Sequence, residues 1–279
     1  MTLPNFLVIG APKAGTHSLY DYLRGHPEIY MPKIKGTRFF CYPGRENLRT
    51  HHSYPVKTLA EFEAVFDGAR GEKAVGEASA LYLERSISAG RIHATIPHVK
   101  MIASLREPVQ RAFSIYHMNL RNAGANAGKD FLTALKDDPA IRMPYYEGLK
   151  PFYDRFDREQ LKIIRFDDLA RDTLGTVQDL FAFLGVRTDF VPELKVSNPG
   201  GIPRSQALHG FLKNRRLKNL ARSVFPERVV ETGKAVRSAN LKKHVMTDDE
   251  RERAYSWFEE DILRTQDLVQ IDLSAWLRR

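Results

Sequence analysis

Cysteine is scarce in this sequence, since Cys41 is the only one among 279 residues. A single thiol excludes an internal disulfide and any metal site built from several cysteines, so we expect no metal centre of that kind. This usage is typical of a reducing compartment, and we expect the protein to be cytoplasmic. Because Cys41 follows Phe39 and Phe40, we interpret it as a small, semi-buried apolar residue rather than a reactive thiol.

Long hydrophobic runs are also missing. The apolar run at 6–9 is too short for the core of a signal peptide, and no later stretch approaches the length that spans a bilayer. The sequence contains no low-complexity segment and no internal repeat. We therefore expect a soluble protein without a membrane span. Residues 1–279 should form one domain, because this length suits one large α/β domain better than two enzymatic domains.

Acidic residues are outnumbered by basic ones. The chain has 43 Lys and Arg against 34 Asp and Glu, a formal net charge of +9, and a pI of about 9.6. A positive surface field attracts anions, but nucleic acids, acidic lipids and phosphorylated small molecules all fit that description. We find no recognition-helix, zinc or RNA-binding signature and expect no nucleic acid partner. A basic nucleic-acid-binding protein stays as an alternative that the charge would fit.

Short apolar runs rich in β-branched residues alternate with longer helical patterns along much of the chain. This order is typical of βαβ units, so we predict an α/β fold with a central parallel sheet flanked by helices. The predicted strands, each with its following helix, are 6–9 with 16–24, 74–75 with a helix from about 80, 101–105 with 108–120, and 161–166 with 173–184.

The pattern changes after Val186. A Pro- and Gly-rich stretch at 196–205 precedes helical patterns without another clear strand, which predicts a loop over the sheet and a helical C-terminal flank. Thr247 and Glu250 have the spacing of a capping box at a helix start. Parallel sheets bind ligands outside the carboxyl ends of their strands, so a site is expected among the strand-to-helix loops.

The loop after the first strand has features of an anion site. It reads Gly-Ala-Pro-Lys-Ala-Gly-Thr-His-Ser at 10–18 and leads into a helix, whose first amides and positive dipole end favour a negative group. Its outer glycines have the spacing of a Walker A loop, but Thr16 and His17 stand where that motif requires Lys and Ser or Thr. Lys13 lies inside the loop instead. An ATP-dependent phosphotransferase of P-loop type is therefore disfavoured, and it stays as an alternative.

A second candidate anion site follows the strand predicted at 101–105. Pro108 suits the first position of a helix, so Arg106 should lie at the carboxyl end of the strand and point into the crevice. Ser114 lies about two turns along that helix. An arginine and a hydroxyl so placed can clamp a phosphate through charge-assisted hydrogen bonds. The same residues could instead pair with an acid and lie on a helix face.

These segments together resemble those of sulfotransferases of the Golgi-like and bacterial type that depend on 3′-phosphoadenosine-5′-phosphosulfate (PAPS). The loop at 12–19 resembles the family's 5′-phosphosulfate loop, and 105–114 resembles its 3′-phosphate motif. Segments at 76–83, 156–185 and 198–205 extend the resemblance over nearly the whole chain, although Ala80 replaces a proline of the family pattern.

The resemblance implies a role for each segment. Loop amides would hold the 5′-phosphosulfate, Lys13 would contact the bridging and leaving oxygens, and Arg106 with Ser114 would bind the 3′-phosphate. Residues near 198–205 would close over the 3′-phosphate side of the nucleotide. The cofactor-binding residues implied in this way are Lys13, Ala14, Gly15, Thr16, His17, Ser18, Arg106, Ser114, Gly200, Gly201 and Arg204.

The implied activity is transfer of a sulfonate group from PAPS to a hydroxyl or amine of a small-molecule or carbohydrate acceptor, with 3′-phosphoadenosine-5′-phosphate (PAP) as the product. We expect in-line attack of the acceptor on sulfur. Positioned amides and Lys13, rather than a metal, are expected to stabilise the charge that develops. The acceptor stays open among sugars, lipids, peptides and secondary metabolites.

The group that removes the acceptor's proton departs from the family pattern. Many members carry a glutamate just before two phenylalanines, where it serves as the base, and Gly36 stands there in this chain. Glu77 follows a strand and should point into the crevice, where basic neighbours would lower its pKa. His117 lies one turn beyond the candidate serine, and its pKa suits proton removal. The predicted catalytic residues are Lys13, Glu77 and His117, and the ring of His17 is a candidate for contact with the sulfonate instead.

Overall fold

The computed structural model describes residues 2–41, 56–121, 128–194, 202–203, 241–242 and 245–277. The strands in these ranges are β1 (Phe6–Gly10), β2 (Ile29–Tyr30), β3 (Ala74–Ala78), β4 (Lys100–Leu105), β5 (Leu161–Arg165), β6 (Ile202–Pro203) and β7 (Leu241–Lys242). The α-helices are α1 (Thr16–Arg24), α2 (Leu59–Ala64), α3 (Ile87–Thr95), α4 (Pro108–Arg121), α5 (Phe131–Asp137), α6 (Tyr145–Tyr153), α7 (Phe166–Arg171), α8 (Thr173–Leu184), α9 (Asp248–Tyr255) and α10 (Glu259–Val269).

Five strands form a parallel sheet in the order β2-β3-β1-β4-β5, which confirms the predicted fold class. In the centre, Leu7 of β1 lies opposite Glu77 of β3 on one side and Met101 of β4 on the other. The chain leaves β1 toward β2 and leaves β4 toward β5, in opposite directions across the sheet. The topological switch point, where such sheets bind ligands, therefore lies at the carboxyl ends of β1 and β4.

The sheet is covered on both faces at its centre. All five residues of β1 are buried, which explains why this strand has a continuous apolar run instead of an alternating pattern. On one face, Phe6 and Val8 belong to a core that includes Leu19 of α1 and Phe181 of α8. Burial of each such side chain contributes roughly 1.5–3 kcal/mol. This core fixes the end of β1 and the start of α1, and hence the loop between them.

A carboxylate from α10 completes the start of α6. Pro144 precedes that helix and has no side-chain cap, so Asp261 accepts hydrogen bonds from the amides of Tyr145 and Tyr146, both at 2.8 Å. The Tyr145 hydroxyl then donates to the Arg106 carbonyl at 2.8 Å and accepts from the Arg106 amide at 3.0 Å. The backbone just after β4 is therefore held by a tyrosine that a distant helix positions.

The chain packs into two compact units. The first comprises Met1–Arg111, Met143–Ser197 and Trp257–Arg279 and contains the five-stranded sheet, and the second comprises Ala112–Arg142 and Asn198–Ser256. Within the second unit, the rings of Phe113 and Phe131 lie 5.0 Å apart, and the Tyr116 hydroxyl donates to the Lys129 carbonyl at 2.8 Å. One domain over residues 1–279 stays a prediction.

Short elements differ most from the sequence-based expectations. The sequence predicts no strand at β2 and none after Val186, yet β6 and β7 form an antiparallel pair. Strands of two residues are too short to have a readable period. The helix predicted from about Ala80 is only a 3-10 turn, and α3 begins at Ile87, because the Ser79 hydroxyl donates to Glu77 instead of capping a helix. The capping box of Thr247 and Glu250 is confirmed.

Candidate active site

The loop between β1 and α1 lies at the switch point. Its Ala11 amide donates to the Ser104 carbonyl of β4 at 2.8 Å, which ties the loop to the neighbouring strand. Lys13 and Gly15 have left-handed backbone conformations, with φ of 70° and 79°. The chain thereby turns sharply into α1, which has no side-chain cap at its start. The first amides of a helix have no partners within the helix, and together with the dipole they favour an anion.

Gly15 is required at its position for two reasons. Its φ of 79° is one that other residues adopt only with strain, and a Cβ there would lie 3.0 Å from the Phe166 ring and 3.2 Å from Leu169. The loop therefore packs directly against α7. In the following turn Thr16 and Ser18 are buried and His17 is exposed.

Arg106 lies at the carboxyl end of β4, as predicted, and in the structure its side chain contacts the loop. Its Nη1 donates to the Lys13 carbonyl at 3.3 Å, and its Nη2 donates to Gln110 at 3.3 Å. The guanidinium lies over the Phe166 ring, 5.0 Å from its centroid. Its Nε is buried and has no hydrogen-bond partner among the described residues. Burial lowers the pKa of Arg106, and an anion at Nε would provide the missing acceptor.

Arg111, one turn into α4, has a supporting position. It is 3% exposed, its Nη2 lies 3.1 Å from the Glu84 carboxylate, and its Nη1 donates to the Met143 carbonyl at 2.9 Å. Its guanidinium also lies 4.6 Å from the centre of the Tyr145 ring. Burial raises the pKa of Glu84, with the Arg111 charge acting in the opposite direction. These contacts fix the start of the helix that follows Arg106.

Five other predicted residues lie in the second unit or outside the described residues. Ser114 and His117 are on α4 within the second unit, where His117 is 8% exposed and its ring centre lies 4.2 Å from that of Phe113. Their roles in phosphate binding and proton removal stay predictions. The three residues predicted to close over the nucleotide lie outside the described residues: Gly200, Gly201 and Arg204.

Glu77 lies at the end of β3 and is fully buried. Its Oε1 accepts from the Thr37 amide at 2.9 Å, the Thr37 hydroxyl at 3.1 Å and the Ser79 hydroxyl at 2.5 Å. Its Oε2 is buried without a hydrogen-bond partner among the described residues. The sequence-based prediction of a lowered pKa is wrong, because burial raises the pKa of Glu77 against the effect of these hydrogen bonds.

The contact between Lys35 and His17 is a feature of the candidate site that the sequence did not predict. Lys35 Nζ lies 2.8 Å from His17 Nδ1, which places an amine and an imidazole together beside the loop. The sequence marks Lys35 only as the neighbour of Gly36 and marks His17 only as a loop residue. No periodicity or spacing relates two side chains 18 positions apart, so this pair could be found only in the tertiary structure.

The described residues contain neither a metal-binding cluster nor a membrane-spanning helix. No group of three or more His, Cys, Asp or Glu suited to a metal ion occurs in the described ranges. Within the same ranges, no helix has the length and apolar character needed to cross a membrane. Among the described residues, the switch point has backbone amides, Lys13 and Arg106 as donors, and His17 and Lys35 lie together beside the loop.

Two solved structures resemble this chain over most of its length. A sulfotransferase solved from Alicyclobacillus acidocaldarius is 31% identical, with the match covering 100% of both chains and a TM-score of 0.74. Mouse sulfotransferase SULT7A1, solved in complex with PAP, is 16% identical over 95% of this chain and 86% of its own, with a TM-score of 0.51, which is a likeness of fold.

Two sequence comparisons agree with these structures. Human carbohydrate sulfotransferase 15 is 26% identical over 251 residues, which cover 66% of this chain and 44% of the relative. The chain spans less than half the length of curated relatives of this kind. A family model described as "Sulfotransferase family" matches residues 84–190, the part of the chain that contains Arg106 and β5. Since the whole-chain match to a sulfotransferase combines 31% identity with a shared fold, this chain belongs to the sulfotransferase family.

Proposed function

We propose that the protein transfers the sulfonate group of PAPS to a hydroxyl or amine of a carbohydrate or other small acceptor and releases PAP. The observation that carries this proposal is the hydrogen bond from Arg106 to the Lys13 carbonyl at 3.3 Å. It joins the loop that would hold the 5′-phosphosulfate to the arginine that would bind the 3′-phosphate. A nucleotide with phosphate at both positions fits two adjacent anion-binding groups, whereas ATP needs only one.

The residues would act by positioning and by charge. The acceptor attacks sulfur as the bond from sulfur to the 5′-phosphate oxygen breaks, so negative charge grows on that oxygen. Amides at the start of α1 and the Lys13 ammonium lie on the loop that would receive this charge, and preorganised donors of this kind stabilise a transition state. Arg106, held by Phe166 and Gln110, would orient the nucleotide from its other end.

The proposed acceptor class comes from the relatives. Human carbohydrate sulfotransferase 15 is named for a carbohydrate acceptor, and it aligns with 66% of this chain. A basic protein with a net charge of +9 also suits acidic polysaccharides. We propose a carbohydrate hydroxyl or amine as the first acceptor to test.

Nucleotide-induced thermal stabilisation tests the donor. PAP should raise the melting temperature more than ATP or 5′-AMP, and magnesium should leave the PAP effect unchanged. ATP should stabilise a P-loop phosphotransferase more than PAP does, and the ATP effect should depend on magnesium. The hydroxyl that follows the loop lysine of such an enzyme binds that ion. Stabilisation by Mg-ATP with none by PAP would overturn the proposal.

Turnover tests the reaction. Radiolabelled PAPS should deliver its sulfonate to at least one of chondroitin, N-desulfated heparan sulfate and p-nitrophenol. Label in the polysaccharides supports a carbohydrate acceptor, and label only in the phenol restricts the proposal to small acceptors. Binding of PAP without transfer to any of the three would contradict the proposed acceptor classes.

A further inference from the structure

Lys35 is held so that its amine meets the phosphosulfate loop. Its Nζ lies 2.8 Å from Nδ1 of His17, the second residue of α1, and 5.9 Å from the centre of the Tyr20 ring. His17 is exposed, whereas Lys35 is partly buried. The outer nitrogen of the imidazole, Nε2, is therefore the one available to a molecule at the loop, and the inner nitrogen is engaged by the lysine.

The backbone that follows Lys35 is held by hydrogen bonds to the buried residue Glu77. Gly36 has a φ of 83°, and the next residue, Thr37, is fully buried with its amide and hydroxyl on Glu77. The Arg38 amide donates to the Ser79 hydroxyl at 2.8 Å. The buried carboxylate of Glu77 thus does not reach the surface and instead fixes the backbone from which Lys35 extends.

Burial is the main cause of lowered pKa values at both Lys35 and His17. Burial lowers the pKa of Lys35 to about 8, with Asp21 and Glu77 acting in the opposite direction. Burial also lowers the pKa of His17, followed by the charges of Lys35 and Lys13, while Asp21 raises it. His17 is therefore neutral near pH 8, while Lys35 exists in both protonation states.

We propose that His17 and Lys35 together remove the proton of the acceptor, a role that rests on the proposed sulfonate transfer. With Lys35 neutral, its Nζ lone pair accepts a hydrogen bond from the protonated Nδ1 of His17, and the unprotonated Nε2 can act as a base. The acceptor's proton then moves to Nε2 as its oxygen bonds to sulfur, and the Nδ1 proton moves to Nζ. The bond from sulfur to the 5′-phosphate oxygen breaks with its electron pair on the phosphate. Lys35 ends as an ammonium, and His17 ends neutral with its proton on Nε2.

Lys35→Arg is the variant that separates charge from proton acceptance, because arginine keeps the charge and does not deprotonate. In the wild type, kcat for N-desulfated heparan sulfate or chondroitin should rise with pH through about 8. Lys35→Arg and His17→Gln should lower kcat by at least roughly 100-fold and remove that acidic limb. Lys33→Arg, in the same segment and exposed, should match the wild type.

An acidic acceptor provides an internal control for folding and positioning. p-Nitrophenol ionises near neutrality without help, so Lys35→Arg should keep most of the wild-type rate toward it. An equal loss with the phenol and the polysaccharide would show that Lys35 only supports the site and would overturn the proposal. So would an intact acidic limb in Lys35→Arg. Failure of the wild type to transfer sulfonate to any acceptor would instead contradict the proposed function itself.

Imidazole nitrogen NMR tests the pair without any acceptor. In the wild type, His17 should change from the tautomer protonated at Nε2 to the one protonated at Nδ1 as pH rises through about 8. In Lys35→Arg it should keep the first tautomer throughout. The absence of the change in the wild type, or the same change in the variant, would refute the proton relay even if PAPS turnover is normal.

Discussion

At the scale of single residues, Arg106 contacts the loop and also has a buried donor without a hydrogen-bond partner among the described residues. Its two terminal nitrogens bind the loop and Gln110, while its buried Nε has no partner among the described residues. A buried donor without a partner costs roughly 1–3 kcal/mol, and a bound anion would recover that cost. The buried Nε of Arg106 is therefore available to donate a hydrogen bond to a bound anion.

Arg106→Ala should weaken PAP far more than it weakens 5′-AMP, because only PAP carries the 3′-phosphate that the arginine would contact. We expect PAP affinity to fall by roughly 10- to 100-fold, the effect of losing a charge-assisted contact. Isothermal calorimetry with both nucleotides measures the difference. Equal losses for the two nucleotides would mean that Arg106 only supports the loop through Lys13.

The raised pKa of Glu77 leads to a prediction about the pH dependence of stability. Since its folded pKa is raised, the protein favours the protonated carboxyl, and this contribution to stability is complete below the unfolded pKa and is lost as pH rises through the folded pKa. Glu77→Gln should therefore raise the free energy of unfolding at pH 7, because a neutral amide avoids the cost of burying a charge. The gain should shrink as the pH falls toward the ordinary carboxyl range. Urea unfolding at several pH values measures it, with exposed Glu159→Gln as the control. A destabilised Glu77→Gln at pH 7 would show that the charged form is needed.

At the scale of elements, the loop and α7 form one packed unit. The left-handed Gly15 allows Phe166 to approach, and Phe166 in turn lies under the Arg106 guanidinium. A strand end, a loop and two helices thus meet around one ring. This explains how the loop can turn sharply and still hold a defined shape.

Gly15→Ala tests that packing against a matched control. Gly185, which ends α8, has a nearly equal φ of 77° but nothing within 4 Å of an added Cβ, whereas at Gly15 the Phe166 ring lies at 3.0 Å. Both substitutions should cost roughly 1–2 kcal/mol of conformational strain. Gly15→Ala should cost a further 1–3 kcal/mol or so from overpacking and should weaken PAP binding. Thermal unfolding and PAP titration of both variants give the comparison. Equal losses in stability with unchanged PAP binding would show that Phe166 yields easily.

At the scale of the whole molecule, the net charge of +9 should act on the rate at which anionic ligands arrive. Exposed charges attract over about 10 Å at 0.1 M salt, and this range shortens as salt is added. The field therefore favours PAPS, PAP and acidic polysaccharides in general without choosing among them. Selection among anions depends on the residues at the switch point.

The association rate of PAP should fall several-fold between about 20 and 200 mM salt, since the long-range attraction is screened. Stopped-flow measurements with PAP and with uncharged adenosine provide the comparison. Adenosine should bind at a rate that salt hardly changes. The same salt dependence for both ligands would show that the net charge does not steer the nucleotide.

The sequence by itself determined the features that depend on local order. The buried run at 6–9 predicted β1, Pro108 predicted the start of α4, and the residues of the loop at 10–18 predicted an anion site at a strand end. These signals lie within a few residues of one another, where periodicity and turn chemistry decide the outcome. They were enough for the fold class and for the positions of Lys13 and Arg106.

Only the tertiary structure decided the properties that depend on burial and on distant contacts. Basic groups expected in the crevice beside Glu77 suggested a lowered pKa, but full burial raises it, because removal from water outweighs the hydrogen bonds that favour the charged form. The contact from Arg106 to Lys13 joins positions 93 apart, and Lys35 meets His17 across 18 positions. Such pairs form where the parallel sheet brings strand ends together, and a linear pattern carries no record of that proximity.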